Sequence, residues 1–312
     1  MRTRWVLGAL VILVTFASCG KRLSTGIQVD SALRRFIAPD TLALAGMDLD
    51  KIRTTPFYAR HKKQLDLPVL NTFSGQSGLD FRRDLATLLL TWNGKGMVIA
   101  GRGNFDKDKI QQLLGADAFR SDYKTFTLFE YRGNAVTFAG AEVAVAGELR
   151  SVKSAIDVEE SRDGRVPDEL SASLAELSKA DQIWVVSRGS LPFADMPASS
   201  ERASILSNFA GYVKATSMGI TIDGGLHFKA EIDCISATGA KRVNDGVRGG
   251  IGFARLAVKN KDLDLLPLYN AVHVKQEKQS VYLDGDLSPE FADKLLNRFI
   301  TVDFTTEPGQ TR

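Results

Sequence analysis

The stretch Ala86-Thr-Leu-Leu-Leu-Thr-Trp92-Asn-Gly-Lys-Gly-Met97-Val-Ile-Ala100 contains two β-rich runs separated by an Asn-Gly pair. Asn-Gly favours a type I′ turn, whose two central residues need positive φ, so the stretch predicts a β-hairpin. The same order returns in the second half of the chain, where Ala215 to Ile222 is followed by Asp223-Gly224 and by Leu226 to Ala230. Each half is therefore predicted to contain one antiparallel hairpin.

Matching segments around the two hairpins indicate an internal duplication. A strand-like alternation precedes each hairpin, a helix signal follows it, and a further strand leads into a final helix. Ser288 before Pro289 is typical of a helix start, with Pro at the first helical position. The paired segments are 41–49 and 182–191, 106–115 and 240–258, 143–149 and 281–287, and 150–156 and 289–299.

This order predicts an α+β protein with two pseudo-repeats, each an antiparallel sheet with helices packed on one face. The charged segment Glu159 to Asp168, which contains Gly164 and Pro167, is the predicted boundary. The first repeat is assigned to residues 33–160 and the second to 161–304. The polar residues 305–312 are predicted to be a disordered tail.

The later part of the second repeat resembles a module of uncharacterised exported bacterial proteins. Over residues 210–300 it has an Ala-led amphipathic helix from Ala237, a short Leu-rich helix from Leu263 to Tyr269, a β-hairpin through Val281 to Leu283, and a closing helix. The resemblance implies a fold, and it assigns no catalytic residue.

The N-terminal residues resemble a bacterial lipoprotein signal peptide with a lipobox. Arg2 and Arg4 precede the apolar run Trp5 to Val14, and Phe16-Ala-Ser-Cys19 follows. The resemblance implies that residues 1–18 are removed, that diacylglycerol is attached to the Cys19 thiol, and that the new amino terminus is acylated. Residues 19–32 are then a tether. An ordinary cleaved signal peptide and an uncleaved anchor helix are the alternatives.

Two positions differ from the commonest lipobox pattern. Phe16 stands where Leu is usual, and Gly20 follows Cys19 where an inner-membrane retention signal has Asp. The resemblance therefore implies the outer membrane, with the body of the protein facing the periplasm. The membrane is the predicted partner through the lipid at Cys19, and an envelope protein is a possible second partner.

The charge of the chain argues against one class of partner, and its cysteine content argues against stabilisation by disulfides. The chain has 40 Lys and Arg against 37 Asp and Glu, and removal of Arg2 and Arg4 leaves it nearly neutral. No nucleic-acid partner is expected, because nucleic-acid binding normally requires a basic face. With Cys19 lipidated, Cys234 has no partner for a disulfide, so stability must come from the core.

The sequence predicts no catalytic residue, no metal site and no cofactor. His61, His227 and His273 show no metal-ligand spacing, and Cys234 lies in a strand-like run typical of a buried, inert thiol. The glycine cluster from Gly246 to Gly252 fits close helix packing or a hinge, with a ligand loop as the alternative. Paired acids are interpreted mainly as helix caps; they are Asp48/Asp50, Asp106/Asp108, Asp262/Asp264 and Asp284/Asp286.

One basic segment fits a membrane anchor. Its cations could orient the protein on anionic head groups, each adding up to about 1 kcal/mol. The alternative is a solvated helix face. The candidate membrane-surface residues are Lys51, Arg53, Arg60, Lys62 and Lys63.

Three functions remain open at the level of the sequence. The favoured one is a non-enzymatic envelope lipoprotein that binds a partner or scaffolds an assembly. The second is a carrier or chaperone for a lipid or another apolar ligand, which would need a continuous apolar cavity. The third is an Asp-dependent hydrolase, which would need two carboxylates converging on a cleft.

Overall fold

The computed structural model describes residues 26–63, 80, 82–114, 119–189, 209–258 and 265–303. The predicted signal peptide, the lipidation site Cys19, residues 19–25 of the predicted tether and the predicted tail 305–312 lie outside these residues. In the described part of the chain, no helix has both the length and the apolar character needed to cross a membrane.

Antiparallel strands form one continuous sheet, and twelve of them lie in the described ranges. The strands are β1 (Ala43–Asp48), β2 (Leu85–Trp92), β3 (Met97–Gly103), β4 (Phe119–Tyr123), β5 (Phe126–Tyr131), β6 (Asn134–Ala139), β7 (Val143–Glu148), β8 (Ile183–Arg188), β9 (Val213–Ile222), β10 (Leu226–Cys234), β11 (His273–Glu277) and β12 (Ser280–Leu287).

The helices in the described residues range in length from about one turn to about six turns. They are α1 (Ser31–Arg34), α2 (Leu49–Arg53), α3 (Pro56–His61), α4 (Lys107–Leu114), α5 (Leu149–Glu160), α6 (Asp168–Glu176), α7 (Ala237–Ala257), α8 (Leu266–Ala271) and α9 (Pro289–Asp303). The predicted α+β class, with an antiparallel sheet and packed helices, is confirmed.

The two sheets expected from the sequence are joined into one. The strand order is β11-β12-β10-β9-β8-β1-β2-β3-β7-β6-β5-β4, and β1 pairs with β8 at the junction of the two halves. Each half contributes strands in the same relative order, β1-β2-β3-β7-β6 in one and β8-β9-β10-β12-β11 in the other. The internal duplication itself stays a prediction, because a shared strand order describes topology and not ancestry.

Both predicted hairpins are present, but the predicted type I′ turns are wrong. Of the residues that join β2 to β3, only Gly94 has a positive φ, at 84°. The side chain of Asn93 instead accepts hydrogen bonds from the backbone N–H groups of Lys95 and Gly96, both at 3.1 Å. Asp223 makes the equivalent bond to the Gly225 N–H at 2.9 Å. These turns are stabilised by side-chain acceptors and not by left-handed backbone at two successive residues.

The core has separate clusters on the sheet. The largest includes fully buried Leu33, Leu44, Val145 and Ile156, so it joins strands β1 and β7 to helices α1 and α5. A second cluster lies under α7, and a third lies where Phe105 and Ile110 pack near β2. Burial of apolar area in these clusters supplies the main stabilising free energy.

Candidate functional site

The first described residues pack on the body of the protein. The Ile27 N–H donates to the Leu174 carbonyl of α6 at 2.9 Å, and Ile27 is buried. A Cβ at Gly26 would lie 2.2 Å from the same carbonyl oxygen, so only glycine fits there. Residues 26–32 of the predicted tether are thus part of the fold. If Cys19 carries lipid, its Cα lies at most about 25 Å from that of Gly26, since each residue spans ~3.5 Å.

A cleft of about 600 Å³ lies beside this segment, and we call it the N-terminal cleft. Its floor is apolar and is formed by Leu89 of β2 and Trp184 of β8, which both lie opposite Gly46 and so share one face of the sheet. Gly46 lies opposite Trp184 in the β1–β8 register, and a Cβ at Gly46 would be 2.2 Å from Trp184 Cζ2. The absence of a side chain at Gly46 therefore allows the indole to lie against β1.

The rim of the cleft carries charge of both signs. Asp30 Oδ2 accepts from Arg102 Nε at 2.5 Å, and Asp30 Oδ1 accepts from the Ala32 N–H at 2.8 Å. Asp48 caps α2 through the Lys51 N–H at 2.9 Å and pairs with Lys51 Nζ at 3.1 Å. These carboxylates hold helix starts and cations in place, which is a structural role.

The two remaining rim carboxylates are also engaged. Asp181 accepts from the Ser178 N–H at 3.1 Å and from the Thr221 hydroxyl at 2.8 Å. Asp50 pairs with Arg53. Each aspartate that lines the cleft therefore accepts from a nitrogen or a hydroxyl group. Lys179, by contrast, is exposed at the rim.

The helix-cap interpretation of the paired acids holds for some and fails for others. Asp48 caps α2, and Asp106 accepts from the Lys109 N–H at 3.2 Å. Asp284 and Asp286 lie inside β12, so the cap prediction is wrong there because their backbone is extended. The pair Asp262/Asp264 lies outside the described residues.

Three of the five predicted membrane-surface residues have partners within the protein. The Lys51 ammonium donates to the Lys179 carbonyl at 3.2 Å, in addition to its pairing with Asp48. The Arg53 guanidinium donates to the Leu85 carbonyl at 2.7 Å. Arg60 donates to the Gly224 carbonyl at 2.6 Å. These contacts attach α2 and α3 to the rest of the fold.

Lys62 and Lys63 follow α3 and are exposed. Within the described residues, neither side chain has a hydrogen bond or an ion pair. His61, directly before them, is buried, its Nε2 lies 2.6 Å from Asp293 Oδ1, and its ring is 4.5 Å from that of Phe57. His61 is a structural residue. Lys51 and Arg60 are also exposed but have partners, so Lys62 and Lys63 are the exposed cations of the segment without a partner among the described residues.

A second histidine lies on a polar face of the sheet. His227 Nδ1 is 2.6 Å from Asp286 Oδ1, and Nε2 is 3.4 Å from Asp223 Oδ1. The hydrogen bond with Asp286 raises the pKa of His227 above its ordinary value against an opposing effect of burial, and Asp223 adds to the increase. On β11, which lies beyond β12 at the edge of the sheet, His273 pairs with Asp284 of β12 at 3.4 Å. No group of three or more acidic, histidine or cysteine side chains suits a metal ion within the described ranges.

Cys234 is buried at the end of β10, as its strand-like sequence predicts. Burial raises the pKa of its thiol, and the charge of Asp233 adds to the increase. A thiol with a raised pKa is a poor nucleophile near neutral pH. The sequence interpretation of an inert thiol agrees with this position.

The glycine cluster lies within helix α7, so the alternative of a ligand loop is wrong. Gly246 packs against the ring of Phe209, whereas a Cβ at Gly249, Gly250 or Gly252 would meet nothing within 4 Å. Downstream, Phe253 is 74% exposed and Leu256 is 88% exposed. The helical spacing of these two residues was visible in the sequence, but their exposure was not.

Comparisons with known proteins identify no family. No protein-family model matches the chain, and no curated protein matches it. Among solved structures, it is similar to crystal form I of TP0453, with a TM-score of 0.46 and 8% identity over 87% of this chain and 98% of the other. For form III the TM-score is 0.46 with 9% identity over 88% and 99% of the two chains. For form IV it is 0.43 with 10% identity over 84% and 95%. At these TM-scores the similarity supports no argument about function.

Proposed function

We propose that this protein is a lipid-anchored lipoprotein of the cell envelope that binds a partner protein through the N-terminal cleft, without catalysing a reaction. The observation that carries the proposal is that Gly26, seven residues after Cys19, lines the cleft. A lipid on Cys19 would therefore hold the cleft within about 25 Å of the bilayer surface. The Gly20 residue after Cys19 supports the outer membrane as the site of anchoring.

The chemistry of the cleft supports a protein partner. Its apolar floor and its mixed-charge rim resemble the core and the polar rim of a protein interface. In each of the rim pairs Asp30–Arg102 and Asp48–Lys51, the two opposite charges already neutralise each other. The arrangement of these charges would select a partner of complementary charge and orientation. Such recognition requires no proton transfer. The engagement of the rim aspartates also argues against the hydrolase alternative.

A lipid carrier is the second candidate, and the apolar floor of Leu89 and Trp184 is the observation that favours it. An acyl chain would have to lie beside four carboxylates and three cations at the rim. Burying apolar chains next to charged groups leaves those groups poorly hydrated. The partner-protein proposal is therefore preferred.

Site-specific photo-crosslinking in cells tests the proposal. A photoreactive residue at Gln28, which is exposed and lines the cleft, should crosslink to one defined envelope protein. The matched control is the same residue at Lys241, whose side chain is 69% exposed on α7, away from the cleft. The substitution Lys179→Glu at the rim, in the Gln28 background, should reduce the crosslinked product.

The outcomes separate the candidates. One protein captured at Gln28, absent at Lys241 and reduced by Lys179→Glu, supports the proposal. Crosslinking of Gln28 to lipid alone supports the carrier instead. Equal capture at both positions, or none at Gln28 while the protein is folded and membrane-bound, contradicts partner binding through the cleft.

A further inference from the structure

Within the described residues, the continuous sheet ends in two edge strands, β4 on one side and β11 on the other. An edge strand presents backbone N–H and C=O groups that no neighbouring strand satisfies, so it is a template for pairing with another strand. On β4, Phe119 is 67% exposed and makes no ring contact within the described residues. An exposed aromatic side chain on an open edge is unusual for a surface that only meets water.

The direction of the free backbone groups on β4 follows from its hairpin with β5. Tyr123 pairs with Phe126 across the two-residue turn Lys124-Thr125, and Lys124 has a φ of 54°. In such a turn the flanking residues exchange backbone hydrogen bonds, and the pattern then alternates along the strand. The backbone groups of Arg120 and Asp122 therefore point away from β5, toward the open edge.

We propose that β4 pairs in antiparallel fashion with β4 of a second copy of this chain, around a twofold axis at Ser121. The sequence Phe119-Arg-Ser-Asp-Tyr123 is complementary to itself in this register. Arg120 lies opposite Asp122 of the second copy, and Asp122 opposite its Arg120, so the outward-pointing backbone groups form hydrogen-bonded pairs. The sheet continues through both copies. The inference goes beyond partner binding at the cleft and does not depend on it.

The side chains on both faces of β4 agree with this register. On one face, the exposed Phe119 lies opposite Tyr123 of the second copy, in a pair without backbone hydrogen bonds, where side chains are closest. On the other face, the two Arg120–Asp122 pairs bring opposite charges together. Arg120 has no hydrogen bond or ion pair in the monomer within the described residues, and Asp122 accepts only from the Thr127 hydroxyl at 3.0 Å.

The other edge lacks this complementarity. Self-pairing of β11 around its central residue would place Lys275 opposite Lys275 of the second copy, and like charges directly opposite are destabilising. A central lysine is a common device that protects an edge strand from self-pairing. The two edges of one sheet thus differ, and a dimer is favoured at β4 alone.

The contact involves one short strand from each copy, which is smaller than a standard stable interface. Anchoring by lipid at Cys19 would confine both copies to one membrane surface and raise their effective concentration. We therefore expect the dimer to be populated in the membrane and to dissociate on dilution in solution.

Disulfide trapping tests the register directly. In the proposed dimer, the two Ser121 residues form a pair without backbone hydrogen bonds, with Cα atoms about 4.5 Å apart, which is within the range a disulfide spans. Full-length Ser121→Cys in native membranes should form a covalent dimer on mild oxidation. The matched control is Lys275→Cys at the centre of the other edge strand, and the unsubstituted chain controls for the buried Cys234.

Charge reversal gives a second test that keeps the fold. Arg120→Asp and Asp122→Arg each place like charges opposite each other, and each should weaken self-association about tenfold or more because both symmetry-related pairs change. Mixing the two variants restores opposite charges and should give a mixed dimer. The yield of the Ser121→Cys disulfide-linked dimer in native membranes, with each charge variant made in that background, reads both effects, and circular dichroism of the purified chains is the check of folding.

Selective trapping at Ser121, together with loss of dimer in each folded charge variant and recovery in the mixture, is the result expected. Equal trapping at Lys275, no trapping at Ser121 in membranes, or unchanged self-association of the folded charge variants would overturn the proposed pairing.

Discussion

The Nε2 atom of His61 lies 2.6 Å from Oδ1 of Asp293, and this contact joins residues 232 positions apart in the chain. It connects α3 in the first half to α9 at the end of the second half. Arg60 donates to the same carboxylate oxygen at 3.2 Å. Burial raises the pKa of Asp293, but the hydrogen bonds from His61 and Arg60 outweigh that effect and hold the pKa below its ordinary value.

Asp293→Asn should lower the free energy of unfolding at neutral pH. We expect a loss of about 1 kcal/mol, less than for a fully buried charged hydrogen bond, because the Asp293 carboxylate is partly exposed to solvent. The folded-state pKa is depressed, so the contribution is present above the unfolded pKa of about 3.9 and is lost as pH falls through the folded value. Urea unfolding across this pH range measures it.

Asp245→Asn is the control for that experiment, because the contacts of Asp245, an exposed pair with Lys241 and a hydrogen bond from Asn244 Nδ2 at 3.2 Å, stay within one helix. It should leave the unfolding midpoint where it is. Equal urea midpoints for Asp293→Asn and the unsubstituted protein at neutral pH would show that the α3–α9 contact is not a stabilising one.

The pKa of His227 should lie above its ordinary value and should fall in Asp286→Asn. The contribution of this raised pKa to stability is complete below the unfolded pKa of about 6.5 and is lost as pH rises through the folded value. Titration of the imidazole C–H resonances by NMR measures the shift. Asp284→Asn, beside His273, should leave the His227 titration unchanged; a fall of equal size there would indicate a general charge effect.

Two glycines on the same helix should respond to alanine in opposite directions. At Gly250 the added methyl group meets open space, so Gly250→Ala should stabilise the protein by about 0.5–1 kcal/mol through helix propensity. At Gly246 the new Cβ would lie 2.3 Å from Phe209 Cζ, so Gly246→Ala should destabilise it by about 1–3 kcal/mol. Thermal unfolding of both variants measures the two changes in stability. Stability changes of the same sign would contradict the placement of α7.

Any binding to anionic membranes through the basic segment should depend on Lys62 and Lys63. Each lysine adds up to about 1 kcal/mol near a charged surface, so reversing both to Glu should weaken vesicle binding by at least about tenfold. Arg53→Gln should affect stability instead, because the Arg53 guanidinium bonds the Leu85 carbonyl. Sedimentation of residues 20–312 with vesicles containing phosphatidylglycerol distinguishes the two. An equal loss of vesicle binding in Arg53→Gln would instead support the predicted membrane-surface patch of all five basic residues.

Much of the fold could be predicted because its signals are local. Asn93-Gly94 and Asp223-Gly224 marked the two central hairpins, and Ser288-Pro289 marked the start of α9, where the Ser288 hydroxyl accepts from the Phe291 N–H at 3.3 Å. Strands β4 to β6 were missed. The turn between β4 and β5 uses Lys124 with a positive φ, a residue type that gives no turn signal, although Arg132-Gly133 between β5 and β6 was available.

The candidate site could not be predicted because its contacts are not local. The N-terminal cleft exists because β1 pairs with β8 across the two halves and because Gly26 and Ile27 pack against α6. Neither pairing has a periodic pattern or a short motif in the sequence. The same applies to Arg60, whose guanidinium bonds a carbonyl 164 positions away. A basic residue that the sequence predicts to be solvated can thus form a hydrogen bond that joins two elements of the fold.

The most direct test of the account is the intact mass of the full-length protein extracted from native membranes, with Cys19→Ala as the control. We predict a chain that starts at Cys19 and carries the added mass of a diacylglycerol and an acyl group, and we predict that Cys19→Ala lacks both. An unmodified chain, or one cleaved at another residue, would contradict the lipid anchor and with it the position of the N-terminal cleft at the membrane.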